Sequence, residues 1–204
     1  WKKYGSQALN VNKQVTRTNE PQQYINTHWP HRCWLDAPTQ LNDISWLNDL
    51  PESAIFPVWP SLSDGTNASS ALAELSRIEK QLENNKWHCM LEQTAMFLNV
   101  PNSSSDSGTL QVQPRIGFTV KKVKTPQDIT LWIDVVMQAF GYSIDREVIE
   151  NLINDLDMQI LMGCYNDQTI ASAILYKTGD TIGIHQVGVK QDFQGKGFAR
   201  SFMK

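Results

Sequence analysis

Apolar residues recur at helical spacing between Thr125 and Phe140, after a short apolar run that begins at Phe118. The short run, with Val120 and Val123, predicts a strand. Thr125 suits the N-cap of the helix that follows, because proline occupies the first helical position and an aspartate lies in the first turn. The apolar helical positions are Ile129, Trp132, Ile133, Val136 and Phe140.

A second helix and three strands are predicted downstream. After Ser143, apolar residues return at helical spacing at Ile149, Leu152, Ile153 and Leu156. The stretches 159–165 and 170–176 are rich in strand-forming residues, and the Asn-Asp-Gln between them is typical of a hairpin turn. A Thr-Gly-Asp turn then leads into a third strand over 182–189.

A glycine-rich turn over 194–199 follows the last strand and precedes another helical pattern. Such a turn leaves backbone N–H groups uncovered at a helix start, which favours a phosphate or pyrophosphate ligand. A P-loop needs Ser or Thr after Gly-Lys, but Gly197 follows Lys196 here. The dinucleotide fingerprint needs a third glycine where Arg200 stands, and its acidic residue would lie beyond the sequence. Neither of these two phosphate loops fits.

The turn resembles the Gln/Arg-x-x-Gly-x-Gly/Ala signature of the GNAT acyltransferases, with Gln194, Gly197 and Ala199 in its three fixed places. The order of predicted elements from about 117 to 204 is also similar to the first two-thirds of a GNAT domain. This resemblance implies an α/β fold of the α+β type, in which helices flank a central, mostly antiparallel mixed sheet. The family's closing strand, helix and hairpin have no counterpart here, which predicts an exposed sheet edge. Either the sequence is incomplete or a second chain supplies these elements, so a homo-oligomer is compatible with the pattern.

The resemblance also implies acetyl-CoA as co-substrate, with no metal. Backbone N–H groups of the loop would hold the pyrophosphate, Lys196 and Arg200 would add positive charge, and the last strand would pair with the pantetheine arm. The implied cofactor-binding residues are Val187, Gly188, Val189, Gln194, Gly195, Lys196, Gly197, Phe198, Ala199 and Arg200.

His185 is the candidate base, or water-mediated relay, for an acceptor amine that attacks the thioester directly. The unperturbed pKa of a histidine lies near neutrality, which suits this role, although a histidine in an apolar strand is more often structural. Gln186 is expected on the opposite face of the strand. The family's substrate-side loop maps onto the region of Phe140 and Tyr142, which would then shape the acceptor pocket.

A polar run over 101–114 predicts a domain boundary. We expect a smaller α/β accessory domain over 1–100, a linker over 101–116 and a C-terminally incomplete GNAT domain over 117–204. Some GNAT proteins carry a second GNAT-like half before the active one, which suggests that the first part is such a half. It would be degenerate, because it has no phosphate loop.

Within that first part, a helix is predicted over 71–86 and a strand over 87–100. One face of the helix would be formed by Leu72, Leu75, Ile78 and Leu82.

Charge and cysteine content mainly exclude other classes of protein. The formal net charge is −3 and no basic stripe is visible, so a nucleic-acid partner has no electrostatic support. Cys33, Cys89 and Cys164 are widely spaced, which predicts neither a disulfide framework nor a zinc site and favours a cytoplasmic protein. No run approaches the roughly 18 apolar residues of a membrane helix and no signal peptide is visible, so no membrane partner is expected.

Three functions stay open at this point. The leading one is an N-acetyltransferase that moves an acetyl group from acetyl-CoA to a small-molecule or peptide amine in a ternary complex. The second is a non-catalytic GNAT-like module that binds acyl-CoA without thiol release. The third is a different phosphate-ligand protein, which would prefer a nucleotide without pantetheine.

Overall fold

A computed structural model describes residues 7–8, 23–26, 29–35, 47–48, 50–58, 68–93, 96–100 and 115–203. The chain divides into two compact units: one contains 6–27 and 31–109, and the other contains 110–204 with 1–5 and 28–30. The predicted limits at 100 and 117 stay a prediction, because 101–114 lie outside the described residues.

The described residues of the first unit form a three-stranded antiparallel sheet and one long helix. These elements are β1 (Gln7–Ala8), β2 (Gln23–Ile25), β3 (Cys33–Leu35) and α1 (Ala68–Asn84). Helix α1 buries Ala71, Ile78 and Leu82, whereas Leu72 is 61% exposed. The predicted apolar face is therefore wrong at Leu72, because the buried stripe at that end of the helix passes through Ala71.

The strand predicted over 87–100 is wrong for the residues that the structure describes. Residues 87–93 and 96–100 form no strand, and side chains such as Phe97 and Leu98 are almost fully exposed. Apolar and β-branched residues form a strand only where a neighbouring strand and a buried face are available. Neither is present for the described part of this segment.

The second unit contains a four-stranded antiparallel sheet in the order β4-β5-β6-β7, with two helices inserted between the first two strands. Its elements are β4 (Phe118–Lys122), α2 (Pro126–Phe140), α3 (Arg146–Leu152), β5 (Met158–Tyr165), β6 (Gln168–Thr178), β7 (Thr181–Val189), a 3-10 turn (Gln191–Phe193) and α4 (Phe198–Phe202). The predicted fold class, an α/β protein with an antiparallel sheet flanked by helices, is confirmed.

Helix α2 begins at the predicted cap. The Thr125 hydroxyl accepts from the Asp128 N–H at 3.1 Å, and the Asp128 carboxylate accepts from the Thr125 N–H at 2.9 Å. This reciprocal pair satisfies two N–H groups that a helix start leaves without partners. At the other end, Gly141 adopts a left-handed conformation with φ +77°, which ends the helix directly before Tyr142.

Helix α3 is shorter than the apolar spacing predicts. It ends at Leu152, and Leu156 is 100% exposed. The chain turns at this point, where the Asp155 carboxylate accepts from the N–H of Asp157 at 2.8 Å before β5 begins. The structure has the predicted hairpin between β5 and β6, but its turn has two residues rather than three, because Gln168 already belongs to β6. Asn166 and Asp167 have φ values of +48° and +63°, as a two-residue hairpin turn requires.

Two apolar clusters cover the two faces of this sheet. Helices α2 and α3 pack on one face around Trp132, whose indole N–H donates to the Leu161 carbonyl at 2.9 Å. The other face carries α4, where Phe198 and Phe202 pack on β6 and on Val189. The sheet therefore holds the end of β7 between α2 and α4.

Within the described ranges, no helix has the length and apolar character needed to cross a membrane. The same residues contain no group of His, Cys, Asp and Glu side chains that could hold a metal ion.

Candidate functional site

The glycine-rich loop forms a tight connection between β7 and α4. Gly195 and Gly197 have φ values of +71° and +81°, a region that glycine adopts without steric cost. Gly197 is the N-cap of α4. Within the described part of the chain, the N–H groups of Gly195, Lys196, Gly197, Phe198 and Ala199 make no backbone hydrogen bond. Successive uncovered N–H groups of this kind favour an anion.

Side chains of the loop fold it back on itself. The Gln194 amide donates to the Val189 carbonyl at 2.8 Å, and the Lys196 ammonium donates to the Asp192 carbonyl at 2.6 Å. Gln194, the first fixed residue of the signature, thus closes the loop onto the end of β7. These two contacts hold the loop in its bent conformation.

Arg115 is a residue of this loop region that sequence reasoning missed. Its guanidinium donates to the Lys196 carbonyl and lies 4.0 Å from the centroid of the Phe198 ring. A Cβ atom on Gly197 would lie 3.9 Å from Nη1 of Arg115. The sequence carried no signal for this contact, because Arg115 lies at the end of the stretch interpreted as a linker.

The predicted cofactor-binding residues of the loop are exposed, except for Phe198. Gly195, Lys196, Gly197, Ala199 and Arg200 are exposed. Phe198 is 2% exposed, so its side chain belongs to the core and only its backbone can face a ligand.

Strand β7 lies at the edge of the described sheet and carries a β-bulge. Ser172 lies opposite Gly188 and Ile174 lies opposite His185, so β7 has one residue more than β6 between these pairs. Gln186, within the bulge, has φ +53°. Of the three residues predicted to pair with pantetheine, Gly188 and Val189 are buried and Val187 is half-buried.

His185 precedes the bulge directly, and its side chain is only partly covered by the protein. Its ring lies alongside Gly183, where an added Cβ atom would come within 2.7 Å of Nε2. Partial burial of the imidazole lowers the pKa of His185 below its ordinary value of 6.5. The neutral ring, which is the form that accepts a proton, therefore dominates at neutral pH.

The structure brings the two predicted acceptor residues together with Gln186. The rings of Phe140 and Tyr142 stack with centroids 5.7 Å apart, and the Tyr142 hydroxyl donates to Oε1 of Gln186 at 2.7 Å. Residues opposite each other in a ladder share a face, so His185 lies on the α2 side with Ile174. The expectation that Gln186 points away from this side is wrong, because the bulge interrupts the alternation.

A partly buried ion pair ties helix α2 to the end of β7. The Lys190 ammonium lies 2.6 Å from Oδ2 of Asp134, with the Lys190 side chain only 11% exposed and that of Asp134 45% exposed. The hydrogen bond from Lys190 is the main cause that lowers the pKa of Asp134 below 3.8. The pair keeps the start of the loop in register with the helix.

We expect Asp134→Asn to lower the free energy of unfolding by about 1 kcal/mol at neutral pH, because Lys190 then loses its charged partner. A carboxylate with a lowered pKa stabilises the fold above its unfolded-state pKa, and that contribution disappears as pH falls through the folded-state pKa. Urea denaturation along a descending pH series measures the difference. Asp180→Asn, in the exposed turn before β7, is the matched control. If the free energy of unfolding of Asp134→Asn still differs from that of the wild type well below pH 3.8, this assignment is contradicted.

Comparison with known proteins found no matching protein-family model and no matching curated protein. Similar solved structures include acetyltransferases, several of which are described as GNAT family members, the superfamily that the loop signature resembles. A ribosomal-protein alanine N-acetyltransferase from Escherichia coli has 16% identity over 42% of this chain and 54% of its own, with a TM-score of 0.38. A GNAT family acetyltransferase from Elizabethkingia anophelis with acetyl-CoA bound has 18% identity over 44% and 54%, with a TM-score of 0.32.

An aminoglycoside acetyltransferase from an uncultured soil metagenomic sample, in complex with sisomicin, has 14% identity over 43% of this chain and 65% of its own, with a TM-score of 0.35. The chain thus spans less than two thirds of each of these three proteins. At these TM-scores, function has to be inferred from the residues of this chain.

Proposed function

We propose that the second unit binds acetyl-CoA and transfers its acetyl group to an amine by direct attack in a ternary complex. The observation that carries the proposal is the continuous arrangement of a bulged edge strand, a loop with two left-handed glycines and the start of α4. This arrangement offers an extended backbone edge followed by an anion site, which suits a long ligand with a pyrophosphate at one end.

The loop would bind the pyrophosphate through backbone N–H groups between Gly195 and Ala199. Lys196, Arg200 and Arg115 add positive charge on or beside this loop, and charged donors make the stronger hydrogen bonds to phosphate. No metal takes part in this proposal.

The pantetheine arm would pair with the outer edge of β7, which has no neighbouring strand among the described residues, at Val187, Gly188 and Val189. The side chains of Val187 and Val189 belong to the apolar cluster around Phe198, so the backbone can bind while the side chains pack. One strand therefore links the anion site to the bulge.

The acceptor amine would approach on the α2 side of β7. His185 would take a proton from the amine, directly or through water, and the stacked Phe140 and Tyr142 rings would provide an aromatic wall. The acceptor is proposed to be a small-molecule or peptide amine. Cytoplasmic localisation and a homo-oligomer stay predictions.

We expect His185→Gln to lower kcat by roughly a hundredfold, because general-base catalysis typically contributes that much or more. Since the pKa of His185 lies below 6.5, kcat/KM of the wild type should rise as pH increases through that lower value and then level off. The variant should lack this acidic limb. Thiol release from acetyl-CoA, followed with a panel of amines, measures both quantities. Binding of acetyl-CoA without amine-dependent thiol release would instead favour a non-catalytic acyl-CoA-binding module.

A further inference from the structure

Ser172 is a fully buried polar residue in an apolar part of β6. It is 0% exposed, and its neighbours along the strand are isoleucine and alanine residues. A buried hydroxyl is costly unless it is hydrogen-bonded. The Ser172 hydroxyl donates to the carbonyl of Gln186 at 3.0 Å, across the bulge of β7.

The conformation of Gln186 needs this kind of support. A residue other than glycine at φ +53° is strained by roughly 1 kcal/mol or more. Two contacts hold Gln186 in place: Ser172 binds its carbonyl, and the Tyr142 hydroxyl binds its side-chain amide at 2.7 Å. The main chain of the bulge is therefore fixed from β6, and the side chain from the end of α2.

The hydrogen bond to Ser172 also determines where the next N–H group points. The Gln186 carbonyl and the Val187 N–H belong to one planar trans peptide, in which these two groups point in opposite directions. Because the carbonyl is directed at β6, the Val187 N–H is directed away from β6. Val187 has no Cα partner in the β6–β7 register. From the peptide geometry we infer that this N–H faces the edge proposed to receive the acyl donor.

We propose that Ser172 is a positioning residue that directs the Val187 N–H at the thioester carbonyl oxygen. This inference rests on the proposed function. The amine nitrogen forms a bond to the thioester carbon, and the carbonyl π electrons move to oxygen, where the Val187 N–H stabilises the negative charge. The electrons then return, the C–S bond breaks, the amine's surplus proton passes to His185, and the thiolate leaves and is protonated to the free thiol. The products are an amide and CoA.

The test compares Ser172→Ala with Thr169→Val. Thr169 is a second hydroxyl-bearing residue of β6, 6% exposed, whose hydroxyl contacts only the sulfur atoms of Cys164 and Met162 in the described residues. Both variants remove one buried hydroxyl from the same strand. We expect Ser172→Ala to lower kcat about tenfold, since the donor is loosened rather than deleted, with KM for acetyl-CoA nearly unchanged. Thr169→Val should keep the wild-type kcat.

A second readout needs no ligand. The 15N and 1H shifts of the Val187 amide in the free protein should change in Ser172→Ala and not in Thr169→Val. Ser172→Cys, which retains a weak donor, should give intermediate values of both kcat and amide shift. Unchanged kcat in a folded Ser172→Ala protein, or an unmoved Val187 amide, would overturn the proposal.

These experiments distinguish a failure of the proposed function from a failure of the role of Ser172. If the wild type releases no thiol with any amine, the proposed function fails and so does the catalytic part of this inference. The amide shifts then still decide whether Ser172 sets the direction of the Val187 N–H. If the wild type is active but Ser172→Ala matches it in kcat, only the role of Ser172 is overturned.

Discussion

Gly197→Glu should abolish acetyl-CoA binding and leave the protein folded. The substitution places a carboxylate at the centre of the uncovered N–H groups of the loop, where the pyrophosphate is proposed to bind. Two like charges about 4 Å apart near a protein surface repel by about 4 kcal/mol. Allowing for movement of the flexible side chain, affinity should fall by at least roughly a hundredfold. Isothermal titration calorimetry measures the loss.

The matched control for this variant is Gly179→Glu. Gly179 also has positive φ, at +55°, and lies in the turn between β6 and β7 with nothing within 4 Å of an added Cβ atom. It receives the same side chain and a similar backbone strain away from the loop. We expect Gly179→Glu to bind acetyl-CoA like the wild type. Equal losses of affinity in both variants would mean that strain, rather than charge at the loop, is responsible.

Gly188→Ala should destabilise the second unit by about 2 kcal/mol and weaken acetyl-CoA binding at the same time. The added Cβ atom would lie 2.8 Å from the Phe140 ring, 2.9 Å from the Ala139 Cβ and 3.1 Å from the Ser172 hydroxyl. Ala139 is part of helix α2 and cannot rotate away, so helix and strand must separate. Overpacking of this kind typically costs 1–3 kcal/mol. Chemical denaturation and calorimetry measure the two effects.

Gly183→Ala provides the comparison on the same strand. Its Cβ atom would meet only the end of the His185 ring at 2.7 Å, and that side chain can turn away. Because alanine also restricts the unfolded chain, we expect little loss of stability or a small gain. If the two alanine variants unfold at the same denaturant concentration, close packing at Gly188 is not what fixes β7 against α2.

Local sequence signals predicted most of the second unit. Thr125 and Asp128 form the expected capping box, and Asn166 and Asp167 form the expected hairpin turn, because each of these features depends on residues within a few positions. The strand predicted over 87–100 does not form in the described residues 87–93 and 96–100. Whether an apolar segment becomes a strand depends on distant partners, which the sequence does not specify locally.

The candidate site was predictable as a loop but not as a network. Gln194 and Gly197 are recognisable from their spacing, whereas Arg115 reaches Lys196 from 81 positions earlier in the chain. The bulge at Gln186 depends on Ser172 from the neighbouring strand, and a regular alternation of faces gave the wrong orientation for it. A serine among isoleucine and alanine residues was the one sequence signal that could have indicated it.

The most direct test of the central claim is a calorimetric titration of the folded, full-length protein with acetyl-CoA, CoA and ADP. If β7 binds the pantetheine arm and the loop binds the pyrophosphate, acetyl-CoA and CoA should bind with similar affinity, and ADP, which lacks pantetheine, should bind much more weakly. Absence of acetyl-CoA binding, or binding of ADP as tight as that of acetyl-CoA, would contradict the account.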